Sequence, residues 1–277
     1  MNNITPDNII PIVDFFNLTA DYLRDGHIHS RSTALPLAYM IEEEEDTPES
    51  YEVSASKEHE DSKEPADSKE PADSKEPEDS KEPEDSIKVL AEEITGCNAC
   101  TLAAGRKKVV PGEGVLSPLV MVIGEGPGAD EDAAGRPFVG RAGQLLDRML
   151  ASIGLNREKN CFIANMVKCR PPENRDPAPE EIAACYHFLE KQILILRPYL
   201  ILCAGRVAAQ NLLKTSQGLN ALRGEFSELV IGEINIPVLP TFHPSAILRN
   251  DSYRRPAWED LKQLRSKLAS LGVDPAE

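Results

Sequence analysis

The sequence predicts an α/β domain in which helices cover both faces of a four-stranded parallel sheet. Two sets of segments support this prediction. Four short, continuously apolar segments are candidate strands: 119–124, 161–167, 199–204 and 236–242. Helical segments lie before, between and after them: 87–97, 141–152, 179–196, 206–213 and 256–270. Continuous apolar strands that alternate with helices are typical of a parallel sheet buried on both faces.

Three unusual loops follow the predicted strands. The first strand is followed by "GEGPG", the second by "KCRPPENRDP" and the fourth by "HPSAILR". In a parallel α/β sheet, ligands bind beyond the carboxyl ends of the strands, where such loops meet. We therefore expect the functional residues in these loops.

The N-terminal part of the 277-residue chain differs sharply in composition from the rest. Residues 1–86 carry a net charge of −17, whereas the remainder carries +1. From Asp61 a polar hexapeptide, "DSKEPA" or "DSKEPE", repeats, and it contains too little apolar surface to offset the entropy of ordering. We predict three regions: an N-terminal segment (1–40), a disordered acidic linker (41–86) and a folded domain (87–277).

The N-terminal segment contains an apolar stretch, residues 8–26, with Pro11 near its start. Two interpretations stay open: a short helix that docks on the main domain, or a tethered segment that binds a partner protein. No segment approaches the roughly 18–20 apolar residues that a membrane span needs. The chain starts without the basic residues of a secretory signal. We expect a monomeric, cytoplasmic protein that does not bind membranes.

The six cysteines fall into two groups. Four of them have a spacing suited to a tetrahedral metal ion or an iron–sulfur cluster: Cys97, Cys100, Cys169 and Cys185. Spacing alone leaves zinc and iron–sulfur as alternatives. Cys161 and Cys203 lie in apolar strands, where we expect them to pack as small core residues.

The glycine loop after the first strand does not fit a nucleotide site. A dinucleotide-binding loop has the pattern G-x-G-x-x-G, whereas Gly124, Gly126 and Gly128 alternate here. Pro127 removes a backbone donor, and Glu125 would repel a phosphate. The loop therefore requires another ligand.

The motifs taken together resemble the family 4 uracil-DNA glycosylases, which are the iron–sulfur type. The resemblance rests on GEGPG followed by "EDAAGRPFVGRAGQLLD", on "ANMVKCRPPENRDP" and on "TFHPSAILR". It also rests on the four cysteines, which stand in the family's order relative to these motifs. It covers about residues 87–270. It implies a three-layer α/β/α fold, a structural 4Fe–4S cluster, and removal of uracil from single- or double-stranded DNA to initiate base-excision repair.

The resemblance also implies roles for individual residues. Glu125 and His243 would be catalytic, and Arg249 would belong to a loop that enters the DNA. The cluster ligands would be the four cysteines named above. The base would be held by Gly124, Gly126, Gly128, Phe138 and Asn165, with Phe138 stacking on it and Asn165 reading its edge.

These residue types suit the chemistry. A flipped base is held by stacking and by hydrogen bonds to its Watson–Crick edge, and an Asn amide matches the N3–H and O4 of uracil. A donor such as His243 would meet the negative charge that develops on the departing uracil. Other glycosylases carry Asp or Asn in place of Gly126, and some carry Tyr in place of Gly128, where it excludes thymine. Thymine must therefore be excluded elsewhere in this chain.

Two alternatives come from other functional classes. One is a relative that becomes covalently trapped on uracil through a histidine, although the insertion after "NMVK" contains none. The other is a glycosylase-like domain that only binds DNA. For DNA phosphates, the sequence predicts a basic face from 105–108, Arg170, Arg175, Arg249, Arg254 and Arg255.

Overall fold

The computed structural model describes residues 83–275. The predictions for residues 1–40 and for most of the linker 41–86 lie outside the described residues. The described helices are α1 (Pro83–Gly96), α2 (Leu102–Gly105), α3 (Ala129–Ala134), α4 (Arg141–Ala151), α5 (Pro179–Leu196), α6 (Arg206–Leu212), α7 (Leu219–Leu222), α8 (Pro244–Arg249) and α9 (Arg254–Ser270). The strands are β1 (Glu113–Gly114), β2 (Val120–Gly124), β3 (Cys161–Asn165), β4 (Leu200–Ala204), β5 (Ser227–Ile231) and β6 (Ile234–Thr241).

The sheet has the strand order β1-β3-β2-β4-β6-β5. Its four inner strands are parallel, which confirms the predicted central sheet. The edge strands β1 and β5 are antiparallel additions that the sequence analysis missed. β1 has only two residues, and β5 alternates exposed and buried positions, so neither shows the continuous apolar run of an inner strand.

Helices cover both faces of the sheet because the inner strands are apolar on both sides. Met121 and Ile123 of β2 point into a core shared with α1, α5 and α6. Val120 and Val122 point the other way, into a core shared with α4 and α9. The three-layer α/β/α architecture is therefore confirmed. None of the described helices is long and apolar enough to span a bilayer.

Local sequence sets the ends of the two helices nearest the cysteines. α1 begins at Pro83, inside the predicted linker, with acidic residues in its first turn that favour the positive end of the helix dipole. α5 begins where Glu181 accepts a hydrogen bond from the backbone N–H of Ala178 at 2.8 Å. It ends at Leu196, and its C-cap, Arg197, has a left-handed φ of 44° and precedes Pro198.

The strand register brings the functional loops together. Gly124 pairs with Asn165 at the ends of β2 and β3, and Ala204 pairs with Thr241 at the ends of β4 and β6. The carboxyl ends of all four parallel strands therefore lie at one edge of the sheet. The loops that follow them open at that edge.

A buried ion pair supports the end of β6. The Thr241 hydroxyl donates to Asp260 at 2.7 Å, and Arg223 donates to the same carboxylate at 2.5 Å. Asp260 is fully buried, and the Arg223 side chain is 20% exposed. Because Thr241 precedes His243 by two residues, this network fixes the strand end that carries the histidine.

We expect Asp260→Ala to lower the free energy of unfolding by about 3–5 kcal/mol, because it leaves the charge of Arg223 inside without its partner. Urea denaturation measures this change. Glu93→Ala is the control, because Glu93 pairs with Lys191 on the surface and such pairs contribute about 1 kcal/mol or less. A similar loss in both variants would contradict the structural role of the buried pair.

Candidate active site

A cleft of about 490 Å³ opens at the carboxyl edge of the sheet. Loops from all four parallel strands line it. The sequence-predicted residues in its wall are Glu125, Gly126, Gly128, Phe138, Asn165, His243 and Arg249. The fold therefore assembles residues that lie more than 120 positions apart in the chain.

Gly124 lies beneath this cleft, at a close approach of three elements. A Cβ atom at this position would lie 2.5 Å from Oδ1 of Asn165 and 2.7 Å from the ring of Phe138. Carbon atoms do not tolerate such separations, so a side chain here would displace one of the two residues. Glycine thus allows the predicted stacking residue and the predicted base-reading residue to meet.

Asn165 is poised to bind a polar ligand. Its side chain is 2% exposed, and its Oδ1 atom has no hydrogen-bond partner among the described residues. An unsatisfied buried acceptor costs about 1–3 kcal/mol. A ligand that donates a hydrogen bond to this oxygen would remove the cost.

His243 lies in the cleft as a neutral hydrogen-bond donor. Its Nδ1 accepts a hydrogen bond from the backbone N–H of Ser245 at 3.1 Å, so the ring hydrogen is assigned to Nε2. Burial, assisted by the charge of Arg249, lowers the pKa of His243 to about 4. The predicted loop "HPSAILR" is in fact the short helix α8, and His243 is its N-cap.

Glu125 lies across the same cleft with an unusually high pKa. Burial raises the pKa of its carboxyl group to about 7, and the negative charge of Asp176 contributes. The positive charges of Arg206 and Arg249 act to lower this pKa. The carboxyl group is therefore close to half ionised at neutral pH.

Phe138 is held in a strained conformation against the histidine. Its φ of 51° lies in the left-handed region, and its ring stacks on His243 with centroids 5.5 Å apart. Arg157 donates to the Phe138 carbonyl at 2.9 Å. A Cβ at Gly143 would lie 1.9 Å from that carbonyl oxygen, so glycine is required there.

The four predicted metal-binding cysteines line one small cavity, together with Arg106 and Lys168. Arg106 donates to Cys169 Sγ at 3.4 Å, and the Ala99 N–H donates to Cys97 Sγ at 3.5 Å. Within residues 83–275, no three His, Cys, Asp or Glu side chains are grouped closely enough to hold a single metal ion. Cys161 and Cys203 are fully buried in the sheet, which confirms their prediction as core residues.

The chemistry of this donor set fits a metal centre. Burial raises the pKa of Cys185 to about 11, so the cavity alone would leave its thiol protonated. Arg106 and the Ala99 N–H, which donate to sulfur, are the kind of partner that metal-bound thiolates use. The residues present therefore suit four thiolates stabilised by a bound cationic group.

Comparison with known proteins identifies the family. The profile of the Uracil DNA glycosylase superfamily matches residues 111–262. The Type-4 uracil-DNA glycosylase of Saccharolobus solfataricus is 42% identical over 193 residues, covering 68% of this chain and 89% of that protein. Its counterpart in Thermotoga maritima is 43% identical over 189 residues, covering 67% and 96%. The chain belongs to the Type-4 uracil-DNA glycosylase family.

The Type-5 family is also similar, but over a shorter part of the chain. The Type-5 uracil-DNA glycosylase of Pyrobaculum aerophilum is 32% identical over 153 residues, covering 50% of this chain and 66% of that protein. The Type-4 resemblance that the sequence motifs indicated is thus confirmed.

The sequence analysis missed a residue that lines this cleft and holds two of its loops. Glu131, in α3, accepts hydrogen bonds from the backbone N–H groups of Val139 and Gly140, both at 2.9 Å. Its other oxygen accepts from Gly128 N–H at 3.1 Å. One carboxylate therefore ties the glycine loop to the Phe138 loop. An acidic residue three positions after a turn is a capping signal that the sequence offered.

The predicted basic face is only partly present in the Type-4 fold. Arg175 and Arg249 line the cleft, together with Arg206, which the sequence analysis missed. Arg254, in contrast, is 8% exposed and pairs with Asp251. Its assignment to the basic face was wrong, because the start of α9 turns this side chain inward.

We expect the Glu125 carboxyl group to titrate near pH 7 in the full-length protein. Asp176→Asn should lower its pKa, because a negative neighbour is removed, and Arg249→Gln should raise it, because a positive neighbour is removed. Carbon-13 NMR of labelled glutamate measures both shifts. Glu259→Gln, on α9, is the control and should leave the value unchanged. An ordinary pKa of about 4.3 in the wild type would refute the burial argument.

Proposed function

We propose that this protein hydrolyses the N-glycosidic bond of uracil in DNA and leaves an abasic site, the first step of base-excision repair. Its membership in the Type-4 family supports this activity. The observation that carries it is the unpaired Oδ1 of buried Asn165, in the same cleft as His243 and Glu125.

Base recognition is assigned to Asn165 and Phe138. Oδ1 of Asn165 accepts the N3–H of uracil, and the amide nitrogen donates to O4. Cytosine lacks the N3–H and carries an amino group in place of O4, so it would leave buried groups unpaired. Phe138 supplies the aromatic face on which a flipped base stacks.

His243 is assigned to the leaving group. As the bond breaks, negative charge develops on the uracil ring, and the Nε2–H of a neutral His243 donates to O2. Because Ser245 fixes the tautomer in advance, little reorganisation is needed when this charge appears. A preorganised donor of this kind is worth about 10²–10³ in rate.

Glu125 is assigned to the other side of the bond. Above a pH of about 7 its carboxylate is mostly ionised. In that form it orients the attacking water or stabilises the positive charge on the sugar. Gly124, Gly126 and Gly128 let the backbone of this loop approach the nucleotide.

The four cysteines are assigned to a 4Fe–4S cluster, with zinc as the alternative. A tetrahedral zinc ion with Zn–S bonds of about 2.3 Å would hold its sulfurs about 3.8 Å apart. A cluster is larger and keeps its ligands farther apart. When bound, the cluster would link the segment that carries Cys97 and Cys100 to the loop 169–185.

DNA contacts are assigned to the rim of the cleft. Arg249, at the end of α8, and Arg206, at the start of α6, both lie beside the cleft and are more than one-third exposed. Their charges suit DNA phosphates. A cytoplasmic, monomeric state and a protein partner for residues 8–26 remain predictions.

Uracil-containing oligonucleotides, followed by alkali, test the activity. We expect strand cleavage by the wild type and a rate lower by about 10²–10³ in His243→Ala, because the leaving group loses its donor. Asn165→Ala should also lose most activity. His187→Ala is the matched control. Because His187 is exposed on α5, this variant should cleave as the wild type does.

The same assay separates the alternatives. Full activity in both cleft variants would refute the assigned site. A gel-stable adduct with the oligonucleotide would favour the covalently trapping relative. Binding without any alkali-sensitive product would favour a protein that only binds DNA.

Metal analysis tests the cofactor. We expect about four iron atoms per chain in protein purified without air, together with the brown absorbance of a cluster. Cys169→Ser should lose iron and lower the melting temperature, because the loop to Cys185 loses its link. Cys203→Ala should keep its iron, because Cys203 packs in the sheet. One zinc ion per chain and no iron would establish the alternative.

A further inference from the structure

Lys168 carries an ammonium group in the interior of the domain. Its side chain is 1% exposed and is the bulkiest among the completely buried ones. Nζ donates to the main-chain carbonyl of Asn165 at 3.0 Å and to Oε1 of Gln192 at 2.6 Å. Gln192 in turn donates to the carbonyl of Pro111 at 2.8 Å, which fixes the amide that receives the lysine.

The same residue also contacts the cysteine centre. Lys168 lines the cavity of the four cysteines. The next residue in the chain is Cys169. Lys168 therefore lies at the cysteine centre, and its side chain bonds the last residue of β3.

Charge gives a reason for a cation at this place. Four thiolates around a doubly positive core leave a net charge of roughly −2. Two cationic side chains line the cavity, Lys168 and Arg106. Together they balance that charge inside the protein, where an unpaired charge is unfavourable.

Stability alone does not account for Lys168. A buried ion is generally no better than an apolar side chain of the same size, and often worse. Methionine would fill this space without the cost of removing an ammonium group from water. Methionine would lose the bonds to Gln192 and to the carbonyl of Asn165, and of these two residues only Asn165 lines the cleft.

We propose that Lys168 is a positioning residue that joins the four-cysteine centre to the base-reading Asn165. The ammonium group holds the carbonyl of Asn165 and so fixes the backbone plane from which its amide projects. The metal centre thus fixes the geometry of uracil recognition in addition to stapling the loop. This inference rests on the proposed function, because it assigns uracil reading to Asn165.

A double-mutant cycle in the full-length, iron-loaded protein tests the coupling. Lys168→Met should lower the single-turnover rate on a uracil oligonucleotide about 10- to 100-fold, the usual effect of removing a group that orients a functional residue. In the Asn165→Ala background the same change should have little further effect, because its target is already gone. Titration with free uracil should show the same pattern in the dissociation constant.

Arg106→Met is the matched control for the metal centre. Arg106 contacts Cys169 and not Asn165, so its effect, of whatever size, should multiply with that of Asn165→Ala. If Lys168→Met fails to fold, Gln192→Leu replaces it. That variant removes one acceptor of Nζ and should give a smaller loss with the same dependence on Asn165.

The outcomes are distinguishable from a failure of the proposed function. A wild type that releases no uracil would overturn the function. A wild type that releases uracil, with Lys168→Met equally harmful whether or not Asn165 is present, would overturn this inference alone. An unchanged rate and uracil affinity in Lys168→Met would also overturn it.

Discussion

The parallel pairing of β2 with β3 is the constraint on which the site depends. It sets Gly124 opposite Asn165 at the ends of two neighbouring strands. Because Gly124 has no side chain, Asn165 and Phe138 both approach its Cα closely. A shift of one residue in this register would turn Asn165 to the other face of the sheet, where α1, α5 and α6 pack.

Burial favours the uncharged form of two ionisable groups in the cleft, His243 and Glu125. The pKa of His243 falls to about 4, so the ring is uncharged near pH 7, while that of Glu125 rises to about 7. A neutral histidine with a fixed Nε2–H needs no proton from solvent to act as a donor. The carboxyl group of Glu125, in contrast, changes charge near neutral pH.

Two side chains that are assigned no part in the reaction, Glu131 and Lys168, hold the loops of the cleft in place. Glu131 ties the glycine loop to the Phe138 loop through three backbone N–H groups. Lys168 bonds the end of β3 and lines the cysteine cavity. Lys168 is buried and Glu131 is half-buried, and each bonds main-chain atoms at the end of a strand or in a loop. Loops that would otherwise be mobile thus become parts of one bonded structure.

The sequence by itself determined the inner strands, the main helices, the cysteine set and the family, because each depends on local periodicity or on spacing along the chain. Tertiary structure decided the rest: the edge strands β1 and β5, the helical form of "HPSAILR", the inward turn of Arg254, and the contacts of Glu131, Ser245 and Lys168. Most of these depend on atoms from segments distant in the chain. Those distant partners become neighbours only when the sheet forms, whereas the cap at Glu131 and the bond between Ser245 and His243 are local contacts.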